Sequence, residues 1–352
     1  MHTFLLLTLM CLLITVDALA ESSRVASINS EIAQKAKSSW KAGDNKFTGM
    51  SIEDLKKWAT AAEEESVIQP QLSARHSLPD DVALEAPSRF TWTDVDGVNY
   101  VTSIKDQGSC GSCWAFAVTA QLETLLRIYN KRFDEASAMD LSEQGLLSCN
   151  NVSAGTCVSG YTSRAINFYR DVGAIEEVYA PYVESKLDCS LALQGTDSYG
   201  SPKKFKLKDG VLQVPWEYVG DQATYTVALV KKYLRDYGPL VVNMRTYYDF
   251  YFYESGVYHR TSAEYVGSHA ILVVGYDDDE RCFLVKNSWG GDWGEKGFFR
   301  ISYDDHVSVD STGTKFGGYA YYNTGVYGDL PSVVNPTISN NYISPVLRLL
   351  LD

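Results

Sequence analysis

The chain has 352 residues, 45% hydrophobic and 21% charged, with 26 glycines and 10 prolines, a composition of globular proteins that excludes a disordered or collagen-like chain. Its formal charge of −13 repels a phosphate backbone, so nucleic acid is not an expected partner. Residues 21–80 carry 8 basic against 9 acidic side chains, so the acidity lies downstream, where an acidic compartment would relieve it by protonating carboxylates.

Residues 4–16 form an apolar run of signal-peptide length, and Ala18-Leu19-Ala20 after it has the small-x-small form of a cleavage site. A membrane anchor needs about 20 apolar residues. No stretch of the chain reaches that, so no membrane span is expected and residues 1–20 read as a signal peptide. The chain is therefore expected to be secreted or delivered to a lysosome or vacuole. In such compartments cysteines are disulfide candidates first. Six remain beyond Cys11: Cys110, Cys113, Cys149, Cys157, Cys189 and Cys282. They suffice for three bridges, or for two with one thiol kept for chemistry and one buried and idle.

Residues 21–80 are cysteine-free and rich in Lys, Glu, Ala and Ser, and read as a removable prosegment ending within 77–87. Ser51-Ile52-Glu53-Asp54 has the form of a capping box ahead of Leu55, Trp58, Ala61 and Ala62, which follow at helical spacing. Over 113–130, apolar residues at 115, 118, 122, 125, 126 and 129 predict a helix buried at its start and over most of its face. Within 239–302, Val241-Val242, Tyr251-Phe252-Tyr253, Gly256-Val257-Tyr258, Ile271 to Val274, Phe283 to Val285 and Phe298 to Ile301 predict strands. Asp277-Asp278-Asp279-Glu280 reads as a solvated hairpin tip rather than a cation site, and the Tyr-rich run 247–258 as packed core. Residues 328–352 form a C-terminal extension whose Ile343 to Leu351 run could dock on the body or serve sorting.

A nucleophilic thiol needs its pKa lowered, by a helix N-terminus or a neighbouring imidazolium, and needs donors aimed at the developing oxyanion. Cys113 stands at the start of the buried helix. Gln107 offers a side-chain amide on the approaching loop, and the Cys113 backbone N–H offers a second donor. An imidazole must come from elsewhere, and beyond the prosegment only His259, His269 and His306 remain. His269 enters one predicted strand and Asn287 leaves the next. Antiparallel pairing would set the Asn287 amide against the His269 ring, with Trp289 shielding that bond. Cys110-Gly111-Ser112-Cys113 is also a C-x-x-C at a helix start, the pattern of a thiol–disulfide oxidoreductase, but that reading leaves Gln107, His269, Asn287 and Trp289 without a role. Zinc would need a second ligand pair, and none is present, so no metal site and no cofactor are expected.

Gln107-Gly108-Ser109-Cys110-Gly111-Ser112-Cys113-Trp114-Ala115-Phe116 resembles the active-site segment of papain-like cysteine peptidases. Leu141-Ser142-Glu143-Gln144, Gly267-Ser268-His269-Ala270 and Asn287-Ser288-Trp289-Gly290 resemble further blocks of that family in the same order, over roughly 90–322. His269 and Asn287 lie 156 and 174 positions beyond Cys113, more than the usual 130–150, so extra loop residues intervene.

The resemblance implies an α+β fold of two parts within 81–327: a helical part over about 105–205 and a β-barrel part over about 206–327, with the active site in the cleft between them. It implies that Cys113 is nucleophile, His269 general base then acid, Asn287 the residue orienting the imidazole, and Gln107 an oxyanion donor. The reaction implied is peptide hydrolysis through a thioester acyl-enzyme, from a precursor whose prosegment lies in the cleft. It also implies the pairs Cys110–Cys157 and Cys149–Cys189, with Cys282 left as a small buried side chain.

The resemblance further implies substrate contacts at Gly160, Tyr161, Thr162, Asn243 and Gly267. Ser159 replaces a glycine usual at that point, and Asn243 is more polar than the family norm, which predicts a less strict hydrophobic preference. Ser39-Trp40-Lys41-Ala42-Gly43 and the run through Gly267 to Ile271 resemble the cathepsin B branch. Residues 189–212, however, hold no histidine of the kind its occluding loop carries, which favours an endopeptidase. Expected partners are peptide and protein substrates, the chain's own prosegment and cystatin-type inhibitors, acting on a monomer. Asn151-Val152-Ser153 is a glycosylation acceptor sequence.

Overall fold

The computed structural model describes residues 24–35, 39–62, 86–130, 139–150, 154–193, 202–214, 217–219, 222–224, 227–307 and 316–328. The expected signal peptide, the expected end of the prosegment, Asn151 and the residues beyond 328 lie outside these residues. Among the described residues no helix is long and apolar enough to cross a membrane.

The helix Cys113–Tyr129 is the pivot of the fold, with every residue from Cys113 to Ile128 buried, Glu123 and Arg127 included. It packs on the helices Glu143–Cys149 and Thr162–Asp171 on one side, and on the strands Leu240–Tyr247 and Tyr265–Asp277 on the other. A helix covered from both sides has no solvent face, which is why its apolar positions run nearly all round it. Ser142 caps the start of Glu143–Cys149 by accepting the Gly145 N–H at 2.9 Å. A disulfide joins Cys149 to Cys189, and a second joins Cys110 to Cys157, which ties the loop before the pivot helix to the loop before Tyr161.

The β part is built on an eight-stranded sheet, with three two-stranded sheets beside it among the described residues. The order of the large sheet is Leu212–Gln213, Phe316–Tyr322, Leu240–Tyr247, Tyr265–Asp277, Cys282–Lys286, Phe298–Ser302 and Val257–Tyr258, with Arg89–Thr91 added beside Tyr265–Asp277. Pairing is antiparallel except for Val257–Tyr258 against Phe298–Ser302. Arg89–Thr91 joins the sheet from ahead of the helical part, and the helix Val227–Tyr237 packs on the β part, against the strands Tyr265–Asp277 and Phe316–Tyr322. Asp277 closes the hairpin tip, accepting the N–H groups of Asp279 and Glu280 at 3.0 Å each.

The strand expected at Tyr251-Phe252-Tyr253 is corrected in part: it begins only at Tyr253 and runs to Ser255. Tyr248–Phe252 is a 3-10 turn that buries Phe250, Tyr251 and Phe252, because rings turned inward together pack against Trp289 and Trp293, whereas alternation would expose every second one.

Residues 24–34 form a helix, and Asn29 clamps Ala42 by donating to its carbonyl at 2.9 Å and accepting its N–H at 3.0 Å. The strand Lys41–Ala42 pairs with Tyr253–Ser255, while Trp40 stacks beside Tyr253 and edge-on to Tyr258. Ser51 caps the next helix through the Asp54 N–H at 3.2 Å, but that helix covers only Ile52–Leu55, followed by a 3-10 turn over Lys56–Trp58. Ala61 and Ala62, expected on its apolar face, are extended instead. Their N–H groups bond to the carbonyls of Ser268 and Gly160, each at 2.8 Å.

Candidate active site

Cys113 is the first residue of the pivot helix, so its N–H has no intrahelical acceptor and lies at the positive end of the helix dipole. The loop reaching it is held by Gly111 N–H to Cys157 carbonyl at 2.8 Å, beside the disulfide. Gly108 adopts φ +57 here, a left-handed conformation that glycine takes without strain. Because Cys110 is bonded to Cys157, Cys113 is a free thiol, and the C-x-x-C redox reading has no vicinal pair to work with.

His269 lies in the strand Tyr265–Asp277, and Asn287 immediately follows Cys282–Lys286. The antiparallel register, Leu272 opposite Lys286, brings the two together. His269 Nε2 is 2.8 Å from Asn287 Oδ1, which also accepts the Ser288 N–H at 2.8 Å. An amide oxygen only accepts, so Nε2 carries the hydrogen and Nδ1 is left as the basic nitrogen. Nδ1 has no partner among the described residues. The Trp289 ring stacks on the imidazole at 4.7 Å, and the Tyr251 ring stacks on Trp289 at 4.9 Å. Ala270, the residue after His269, presents its N–H to the Cys113 sulfur, so thiol and imidazole share one site.

Both groups are fully buried, and burial decides their charge. It pushes the Cys113 thiol up, against hydrogen bonds from Ala270, Thr60 and Trp114, and it lowers His269 to about 4, against the Asn287 bond. Burial thus favours the neutral thiol and the neutral imidazole in this covered state.

The cover is the segment 59–62, which the sequence reading places in the expected prosegment. Thr60 Oγ1 donates to the Gly111 carbonyl at 2.6 Å, and Ala61 N–H to the Ser268 carbonyl at 2.8 Å. Ala62 N–H donates to the Gly160 carbonyl at 2.8 Å, and Gly160 N–H to the Thr60 carbonyl at 3.3 Å. Gly160 packs so closely on the Trp114 ring that a side chain there would collide with it, and Gly267 is closed in the same way by the Ala59 carbonyl. Behind these residues Phe47 is fully buried among Trp58, Tyr251 and Trp289.

Gln107 is completely buried, its Nε2 donating to the carbonyls of Cys110 at 3.1 Å and Trp58 at 3.3 Å. Its Oε1 accepts from Ser288 Oγ at 2.8 Å, and Tyr182 Oη donates to its carbonyl at 2.8 Å. Ser288 and Tyr182 were not read from the sequence. Ser288 stands inside the Asn287–Gly290 block and had a local signal, while Tyr182 had none. Thr162 Oγ1 donates to Asn243 Oδ1 at 2.9 Å, and the Tyr161 ring beside it faces the Arg164 guanidinium at 4.0 Å. Cys282 is buried away from this site, and burial raises its thiol to about 12.

Residues 86–316 match the model of the papain family cysteine proteases. The chain belongs to that family. It is 28% identical over 276 residues to a cathepsin B-like cysteine proteinase 3 of Caenorhabditis elegans, covering 73% of this chain and 70% of that one. It is 32% identical over 235 residues to the gamete and mating-type specific protein A of Dictyostelium discoideum, covering 65% of this chain but 46% of that longer protein. The structure of a recombinant stem bromelain precursor superposes with a TM-score of 0.63 at 26% identity, covering 87% of this chain and 89% of the other.

Proposed function

We propose that this papain-family protease is an endopeptidase made as an inactive precursor, with Cys113 as nucleophile and His269 as its base. The observation that carries the reading is the 2.8 Å bond from His269 to Asn287, which fixes the imidazole tautomer and leaves Nδ1 for the thiol. Nδ1 takes the Cys113 proton as the sulfur attacks the substrate carbonyl carbon. The oxyanion is held by Gln107 Nε2 and the Cys113 N–H. Collapse of the tetrahedral intermediate expels the amine, which takes the proton back from the imidazolium. Water, activated by the same nitrogen, then cleaves the thioester and restores the thiol.

The prosegment supports the precursor reading, since it occupies the backbone positions of Gly160 and Ser268 and places the Trp58 carbonyl on Gln107. Acidity and the leader favour maturation in an acidic secretory compartment or outside the cell. An endopeptidase is favoured because residues 189–212 hold no histidine to grip a terminal carboxylate. The deciding experiment is hydrolysis of blocked fluorogenic peptides by acid-matured protein under reducing conditions, beside Cys113→Ala. Turnover that vanishes in the variant is expected, and turnover that survives it sinks the proposal.

A further inference from the structure

We propose that Asn243 makes the subsite beside Gly160 select an uncharged amide side chain, glutamine or asparagine, on the substrate residue whose backbone pairs with Gly160. The inference deepens the peptidase reading and rests on it.

Asn243 is 6% exposed, on the strand Leu240–Tyr247 and directly opposite Ala270, the neighbour of His269. Thr162 stands two residues beyond Gly160, so the Thr162–Asn243 bond spans the two walls of the cleft next to the Gly160 pairing position. That bond also orients the amide. The Thr162 hydroxyl donates to Oδ1, and Nδ2 is left as a buried donor with no partner among the described residues. A buried N–H without an acceptor destabilises any complex that leaves it so.

The prosegment leaves it so. Ala59, Ala61 and Ala62 bring only methyl groups, and the Thr60 hydroxyl is spent on the Gly111 carbonyl. A substrate side chain with a carbonyl oxygen would satisfy Nδ2, whereas leucine would not. Tyr161, Thr162, Asn243, Gly267 and Ala270 include no cation, and the neighbouring Arg164 guanidinium lies over the Tyr161 ring at 4.0 Å, so a carboxylate beside Asn243 has no counter-charge among these wall residues and an amide needs none. Sites built to hydrogen-bond a substrate group reject analogues lacking it far better than apolar pockets reject a missing methylene.

The test uses matured enzyme and fluorogenic peptides differing only at that residue: Gln, Asn, Glu, Leu, Met and Lys. The expected result is a kcat/KM for Gln at least about tenfold above Leu, Met and Glu. Asn243→Val is expected to invert the order, and Thr162→Val, which frees the amide to turn, to narrow it. Leucine equal to or better than glutamine in the unaltered enzyme overturns the proposal whatever the variants do, and so does a preference for lysine. An unchanged order in folded Asn243→Val removes Asn243 as its cause.

The same peptides are also ranked by how well they slow alkylation of Cys113, a readout that needs no turnover. Best protection by the Gln peptide without hydrolysis would reject the peptidase reading and keep the Asn243 assignment. Equal protection by Gln and Leu peptides would reject the assignment.

Discussion

Trp58 of the prosegment lays its backbone carbonyl 3.3 Å from the side-chain amide of Gln107, the donor placed for the oxyanion. On the proposed mechanism, this contact would silence a precursor at the group that stabilises the transition state as well as at the thiol. Gln107→Ala should lower kcat by about 10²–10³-fold in matured enzyme, the usual loss of one oxyanion donor. Ser288→Ala, which removes only the 2.8 Å contact that orients Gln107, should cost less. Steady-state kinetics on one substrate measure both, and equal losses would mean that Ser288 has a role beyond orientation.

Apolar burial, more than charge pairing, should hold the prosegment down. Phe47 is fully buried against three aromatic rings, and Phe47→Ala should cost about 3–5 kcal/mol of docking. The Lys46–Asp106 ion pair at 2.8 Å is part-exposed and should contribute at most about 1 kcal/mol. Inhibition constants of residues 21–80 added in trans, native or substituted, test the ranking. Lys46→Ala weakening inhibition more than Phe47→Ala would reverse it.

Acid should loosen the closed precursor through His269. Its covered imidazole, lowered to about 4 by burial, refuses a proton that an uncovered one accepts near 6.5, so the closed form loses stability as pH falls from 6.5 to 4, by about 3 kcal/mol at most. Prosegment release, followed by fluorescence in a Cys113→Ala background to prevent processing, should therefore steepen across that window. The curve should flatten when His269→Gln is added. Identical curves with and without His269 would assign the acid response to other groups.

Lys105 sits among Glu123 at 2.9 Å, Asp140 at 2.7 Å and Glu143 at 3.0 Å, and donates to the Leu141 carbonyl at 2.8 Å. Burial opposes ionisation of Glu123, yet Lys105 and Lys286 hold it below its ordinary value, while burial raises Glu143 to about 8. Lys105→Met strands Glu123 and should destabilise the protein by about 3–5 kcal/mol, whereas Asp140→Asn, at a half-exposed carboxylate, should change stability by less than about 1 kcal/mol. Urea unfolding at pH 7 gives both values. A small effect of Lys105→Met would show that Glu123 takes up a proton instead.

The residues with intrinsic chemistry were legible because chemistry restricts residue type within a short window. A thiol at a helix start after a Gly-rich loop, a histidine entering a strand and an Asn-Ser-Trp-Gly block leaving another can each be read from about ten positions. The pivot helix was legible from its period, because burial on both sides demands apolar residues nearly all round. Partnership across the chain was not legible. The spacing of Trp58, Ala61 and Ala62 is helical, yet Ala61 and Ala62 run extended because Ser268 and Gly160, more than 90 positions away in sequence, offer them backbone partners. Lys105 looks like a surface lysine until Glu123, Asp140 and Glu143 close around it, and Asn243 looks merely polar until Thr162 takes its oxygen. Residue type and local period thus marked which groups are candidates for chemistry and where the long helix lies. Register, burial and hydrogen-bond pairing, which depend on segments distant in the chain, were decided only when the whole molecule folded.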